Sequence, residues 1–147
     1  MRYLFVGLLA FILITGCQGN DKPAAAANAA VTDSSQFTTI QWLDSSMDYK
    51  NVPEGTQLEV AFRFKNTGDK PLVIERVQPS CGCTVAKENP APVPPGGEGV
   101  VKASFNSTGR SGANHKTLFV YANTKGIRAH TLQFVVQVDK KADEPKN

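Results

Sequence analysis

From Leu58 to Lys65 the chain alternates without a break: Leu58, Val60, Phe62 and Phe64 fall on one side, and Glu59, Ala61, Arg63 and Lys65 on the other. A period of two builds a strand with one buried and one wet face, and it cannot form the apolar stripe of a helix. The same logic runs through the rest of the chain. Phe37–Leu43, Leu72–Val77, Gly99–Phe105, Lys116–Ala122 and Arg128–Val138 read as further strands, and in the last of these Leu132, Phe134, Val136 and Val138 share a face. Asn66 to Pro71 reads as a turn. Pro90, Pro92, Pro94, Pro95, Gly96 and Gly97 mark a loop, because proline lacks the donor that a central strand needs. Nowhere does a 3.6-residue period persist over three turns. The expectation is an all-β, Ig-like antiparallel β-sandwich of about seven strands over residues 37–139, with a polar tail at 140–147.

Residues 1–16 belong to a different regime. Met1-Arg2-Tyr3 is a short cationic start, and Leu4 to Ile14 is an uncharged apolar run. A bilayer core of about 30 Å needs roughly 20 apolar residues as a helix. A run this short, ending in small residues, suits a secretory signal peptide instead. Ile14-Thr15-Gly16-Cys17 resembles the bacterial lipobox, in which the cysteine is acylated and becomes the first mature residue. Cys17 is therefore the expected lipidation site, and several acyl chains on one residue give stable anchoring. Gln18 rather than an aspartate follows it, which favours the outer membrane. Residues 17–36, rich in Ala, Asn and Ser, show no apolar periodicity and read as the lipidated cysteine and a flexible linker. The expected location is the bacterial cell envelope, with the membrane as a partner through the lipid. No cofactor beyond that covalent lipid is expected.

Charge excludes one class of partner. The net +3 from 16 basic and 13 acidic residues is spread along the chain, whereas a nucleic-acid binder concentrates its cations.

A longer pattern is more specific. Asp48-Tyr49, Val52 and Gly55 are followed by Phe62-Arg63-Phe64-Lys65-Asn66-Thr67-Gly68, then Pro71-Leu72 and Ile74. Ser80-Cys81-Gly82-Cys83-Thr84, Pro95-Gly96-Gly97, Phe105, Gly109 and Gly112 complete it. This pattern resembles an uncharacterised bacterial Ig-like lipoprotein family with a Cys-Gly-Cys-Thr signature (domain of unknown function 1573). That family looks related to the Hydin-like and major-sperm-protein-like sandwiches. One departure is Lys50, where the family usually has glycine. The resemblance implies a fold and a habitat, not a reaction.

With Cys17 given to the lipid, Cys81 and Cys83 are the remaining thiols, in an oxidising compartment. Residues i and i+2 of an extended segment point the same way, with Cα atoms roughly 6.5–7 Å apart, and Gly82 lets them come closer. The pair reads as a structural feature or local staple, as a redox-labile dithiol, as half of a soft-metal site such as Cu(I), or as the source of an intermolecular disulfide. His115 and His130 lie far apart in sequence without a companion cluster, and no metal site is assigned to them. Ser80, Ser104 and Ser107 lack a Gly-x-Ser-x-Gly elbow, Gly96-Gly97-Glu98-Gly99 enters a strand rather than a helix, and the Asn106-Ser107-Thr108 sequon reads as chance. Trp42, Tyr49 and Tyr121 read as cross-strand packing before they read as a sugar- or peptide-binding face.

No convergent acid, base and nucleophile emerges, so the chain is read as a non-enzymatic module. It would bind another envelope protein or a glycan through sheet edges or end loops, strand addition being the simplest route. The alternative is thiol redox or Cu(I) handling at Cys81 and Cys83.

Overall fold

The computed structural model describes residues 34–140. The expected signal peptide, Cys17, most of the expected linker and nearly all of the expected polar tail lie outside the described residues. After one 3-10 turn at Ser34–Gln36, eight strands follow: β1 (Ile40–Trp42), β2 (Ser46–Pro53), β3 (Gln57–Asn66), β4 (Ile74–Pro79), β5 (Thr84–Ala86), β6 (Glu98–Asn106), β7 (Gly112–Ala122) and β8 (Ala129–Asp139). They form two four-stranded sheets, ordered β1-β3-β6-β5 and β2-β8-β7-β4. This is the expected Ig-like sandwich, with one pairing that is not antiparallel: β2 runs parallel to β8.

The alternating residues do what their period dictates. Val60, Phe62 and Phe64 of β3 and Val101, Ala103 and Phe105 of β6 face Leu118, Val120 and Ala122 of β7 and Leu132, Phe134, Val136 and Val138 of β8, all buried. Phe105 and Phe134 meet edge to face across the two sheets at 5.9 Å, the arrangement aromatic quadrupoles favour. Four buried phenylalanines dominate the core, each stabilising by about 3–5 kcal/mol against truncation to alanine.

Two strands have no clean signature in the sequence. β5 is three residues long, too short for any period. In β2 the partly buried residues are Met47, Tyr49 and Val52, a spacing of two and then three. The register against β8 shifts between Asp48 and Asn51, and within that shift Lys50 takes a left-handed φ of 47°. This position is a β-bulge. Asp48 holds it by accepting the Lys50 N–H and the Lys50 ammonium, each at 3.0 Å. Those contacts, the backbone one first, keep the Asp48 carboxyl below the usual carboxylate range.

A left-handed backbone costs a residue with a Cβ about 1–2 kcal/mol, and glycine escapes that at some entropic cost in the unfolded chain. Lys50→Gly is therefore expected to stabilise the domain by roughly 0.5–1 kcal/mol, read as an upward shift of the thermal midpoint by about 2–6 °C. A lowered midpoint would mean that the Asp48 contacts outweigh the backbone.

Each end of the sandwich has its own closure. At the entry end, Thr38 forms an isolated bridge with Thr124, beside the C-terminus of β3 and the β7–β8 turn. Two buried asparagines lock this end. Asn66 accepts from the Thr38 hydroxyl (2.9 Å) and the Gly68 N–H (3.1 Å), and donates to the carbonyls of Lys70 (2.8 Å) and Val93 (2.9 Å). Asn123 accepts the Val73 N–H and donates to the carbonyls of Gln36 and Pro71. The proline-rich loop is thereby fastened, with Val93 bridged to Leu72. That bridge takes Leu72 out of β4, which begins two residues later than its sequence suggests. The opposite end carries the β2–β3 and β6–β7 turns, where buried Ser107 accepts the Thr56 N–H at 2.7 Å and donates to the Pro53 carbonyl at 3.0 Å.

Candidate functional site

Cys81 and Cys83 occupy the crossover from β4, an edge of one sheet, to β5, an edge of the other. Ser80 ends the first side: its N–H donates to the Thr117 carbonyl at 2.9 Å, and its Oγ accepts the Thr117 N–H at 3.3 Å. Thr84 begins the second side, paired in register with Phe105. Between these anchors the chain turns tightly, with the Thr84 N–H donating to the Cys81 carbonyl at 3.2 Å and the Asn106 N–H to that of Cys83 at 2.9 Å. The turn brings the cysteine Cα atoms to 5.4 Å, and a disulfide joins them. Of the sequence alternatives, the structure presents the local disulfide. In this state no thiolate is offered to a soft metal, so the Cu(I) reading requires the reduced pair.

Three features describe what this corner can do. First, the disulfide closes a loop of three residues, for which the chain-entropy account gives only about 1.5 kcal/mol, against about 3 for fifteen residues. As a staple it is weak. Second, both cysteines are partly exposed, with Cys83 packed against the core and Thr84 Oγ1 about 4 Å from each sulfur. Third, among the described glycines Gly82 alone has neither a left-handed φ nor any atom that an added Cβ would meet within 4 Å. Neither a left-handed backbone nor crowding from beyond the cysteines demands glycine there.

A cation stands at the same corner, and sequence reasoning passed it over. Lys116 precedes Thr117, the partner of Ser80, and its Nζ lies 5.8 Å from the centroid of Phe105, the partner of Thr84. Burial first, and then the charge of Arg110, push its amine below the usual lysine value. None of the ion pairs among the described residues includes Lys116. The signal in the sequence was faint: a lysine in the inward-facing phase of β7, between Asn114 and Leu118.

The other sequence candidates disperse into structural roles. His115 is exposed on the outer face of β7. His130 is half-buried, bonded to Thr124 Oγ1 at 2.9 Å and 5.9 Å from the Trp42 ring, and burial pushes its imidazole below the usual value. Among the described residues no three of His, Cys, Asp and Glu come together to hold a metal. Ser104 accepts from Gln57 at 2.8 Å, and Asn106 Oδ1 accepts the Thr108 N–H, so sequon and serines serve turns and ladders. Trp42 packs edge-on against Phe64 at 5.4 Å. Tyr49 packs against Phe134, and its hydroxyl accepts the Ala61 N–H at 3.1 Å. Tyr121 faces outward beneath Arg76, 4.1 Å from its ring centre. The three rings therefore share no binding face.

The sheet edges are poor templates for an added strand. β1 and β5 have three residues each. Beyond β1, the edge donors of β3 are taken by Tyr49 and by Asp44, which accepts the Arg63 N–H at 3.1 Å. β2 carries its bulge and Pro53, while β4 has a register shift between Ile74 and Arg76 and ends in Pro79. Short, bulged and proline-bearing edges resist pairing with another chain.

The broad faces differ more. On the outside of β3 and β6 stand Glu59, Arg63, Lys65, Glu98 and Lys102. On the outside of β7 and β8, the register places Ala113, His115, Thr117, Phe119 and Tyr121 beside Gln137, Val135, Gln133, Thr131 and Ala129, a run without a formal charge. Phe119, 37% exposed, lies at its centre between Gln78 and Thr131.

Solved structures share this fold. A protein of unknown function from Porphyromonas gingivalis W83 superposes with a TM-score of 0.61 at 13% identity, covering 73% of this chain and 50% of that one. The seventh PapD-like domain of human CEP192 gives 0.53 at 12% identity, covering 84% and 99%. The YadV chaperone gives 0.52 at 15% identity, covering 72% and 55%. The chain thus spans about half the length of the first and third. Among curated proteins none matches the sequence. A family model described as a protein of unknown function (DUF1573) matches residues 40–138.

Proposed function

The chain belongs to the DUF1573 family, whose function is unknown, and from that premise we propose that it is a lipid-anchored, non-enzymatic binding module of the bacterial cell envelope. The observation that carries the reading is the outer face of β7 and β8, whose ten outward residues carry no formal charge, with Phe119 at its centre and charge confined to its margins at Arg76 and Asp48. A solvent-facing sheet normally disperses charge for solubility, as the opposite face does here, and a charge-poor patch with an exposed aromatic marks a contact surface. The anchoring part rests on the lipobox ending at Cys17, with Gln18 favouring the outer membrane and residues 17–36 as the tether.

The partner is an uncharged surface of another envelope protein. A glycan is the second class, less favoured because the outward aromatic Tyr121 is already covered by Arg76 and offers a sugar little open ring. Support for a non-enzymatic role comes from the dispersal of the serines and histidines described above.

Charge placed in the middle of the face tests this. Phe119→Glu is expected to keep the folded sandwich with a thermal midpoint lowered by no more than about 8 °C, since the side chain is only 37% exposed and its loss costs about 1 kcal/mol, and to abolish recovery of a partner by crosslinking in cells followed by pull-down. If no partner is recovered reproducibly with the wild type, or the captured set is unchanged in the variant, the reading fails.

A further inference from the structure

We infer that Cys81-Gly82-Cys83 is a thiol–disulfide exchange site for a cysteine pair of another polypeptide, with Lys116 as a positioning cation for the departing thiolate. The proposal is independent of the β7–β8 face.

Four observations converge on it. The disulfide joins residues that the turn already holds together, so its removal leaves the architecture anchored at Ser80 and Thr84. Gly82 has no left-handed φ, and beyond its two cysteine neighbours nothing lies within 4 Å of where its Cβ would stand, so the tip between the cysteines is open to an approaching chain. An attacking sulfur must approach along the axis of the disulfide, and an uncrowded tip favours that approach. Cys83 is packed against the core whereas Cys81 is not part of that packing, so the two sulfurs differ as target and leaving group. Lys116 lies at the same end of the sandwich: it adjoins Thr117, the backbone partner of Ser80, and its Nζ stands 5.8 Å from the ring of Phe105, the register partner of Thr84. A nearby cation favours the thiolate over the thiol, and a leaving thiol of lower pKa departs faster.

The step balances without an outside reagent. A thiolate of the substrate attacks Sγ of Cys81 and forms a mixed disulfide, and the Cys81–Cys83 bond breaks with its electron pair leaving on Sγ of Cys83. The second substrate thiolate then attacks the substrate sulfur of the mixed disulfide and releases Cys81 as thiolate. The substrate is oxidised by two electrons from dithiol to disulfide, the cysteine pair is reduced by two, and the two substrate thiol protons pass to Cys81 and Cys83.

The test uses the mature chain solubilised from membranes, with a reduced two-cysteine peptide as probe. Maleimide trapping and peptide mass spectrometry read the state of Cys81 and Cys83 apart from Cys17. Native protein is expected to oxidise the peptide stoichiometrically. Lys116→Met should slow exchange at pH 7 by about five- to tenfold and move the pH–rate profile upward, with Lys116→Arg restoring both. Gly82→Val, at a tip where a side chain meets nothing, should slow exchange while leaving the melting profile unchanged. A disulfide that yields to neither the peptide nor dithiothreitol until the protein is denatured overturns the proposal. So does a Lys116→Met protein with wild-type rate and pH profile.

Discussion

Replacing Asn66 with alanine is expected to cost the domain about 3–5 kcal/mol, because each buried partner left unsatisfied costs about 1–3 kcal/mol and some would relax toward water. Asn66 is fully buried, and its amide makes four hydrogen bonds, two as acceptor and two as donor. Its own backbone is also paired with the Pro95-Gly96-Gly97 turn, through the Asn66 N–H to the Gly97 carbonyl and the Gly96 N–H to the Asn66 carbonyl. Truncation removes the partner of the Thr38 hydroxyl, the Gly68 N–H and the Lys70 carbonyl at one stroke, and leaves the Val93 carbonyl with the Leu72 N–H alone, in the place where β3, the entry segment and the proline-rich loop meet. In a domain of about 100 residues this corresponds to a fall in thermal midpoint of about 15–25 °C, followed by far-UV circular dichroism. Asn66→Asp should be no milder, since it removes both donors and buries a charge. A fall of only a few degrees would show that water replaces the amide, and that the loop is held by Val93 and Leu72 alone.

The second large effect concerns place rather than stability. Cys17→Ser removes the only thiol that can take the thioether lipid in the Ile14-Thr15-Gly16-Cys17 segment. Serine is nearly isosteric, so the apolar run and its export are untouched. Wild type is expected almost wholly in the membrane fraction and, after detergent extraction, with the mass of an acylated chain beginning at residue 17. The variant should move to the soluble fraction or persist as uncleaved precursor, a change of at least tenfold in the ratio of membrane-bound to free protein, given how strongly several acyl chains partition. Identical fractionation of the two proteins would sink the anchoring argument and leave the envelope assignment without its main support.

What the sequence disclosed, and what it withheld, divides along one physical line. Strands that bury one face under a strict period of two announced themselves: β3, β6, β7 and β8 lie within a few residues of where the alternation puts them. β2 did not, because the bulge at Lys50 changes the spacing of Met47, Tyr49 and Val52, and a break of one residue erases a period of two. β5 was too short to have a period. Asn66 read as an ordinary turn former, with no hint of four side-chain bonds that reach partners as distant as Thr38 and Val93. At the candidate site, the cysteine pair was legible from its spacing and its compartment. The cation at the same end was not, for Lys116 is brought toward the cysteine corner only through pairings of β7 with Ser80 and of β5 with β6. Such long-range pairings carry no local signature. Likewise the uncharged face exists only as the interleaving of outward residues from β7 and β8, each unremarkable when read along its own strand.

The entry end and the cysteine corner lie at opposite extremes of β3, whose ten residues span about 33 Å. A domain held by its N-terminal side would therefore carry its disulfide at the far pole. On the proposed anchoring through Cys17, Cys81 and Cys83 would stand about one domain length further from the membrane than the entry end. A target embedded in the same leaflet would lie below them unless the domain lay down on its side. One that floats in the compartment, or projects from the surface across from it, would meet them.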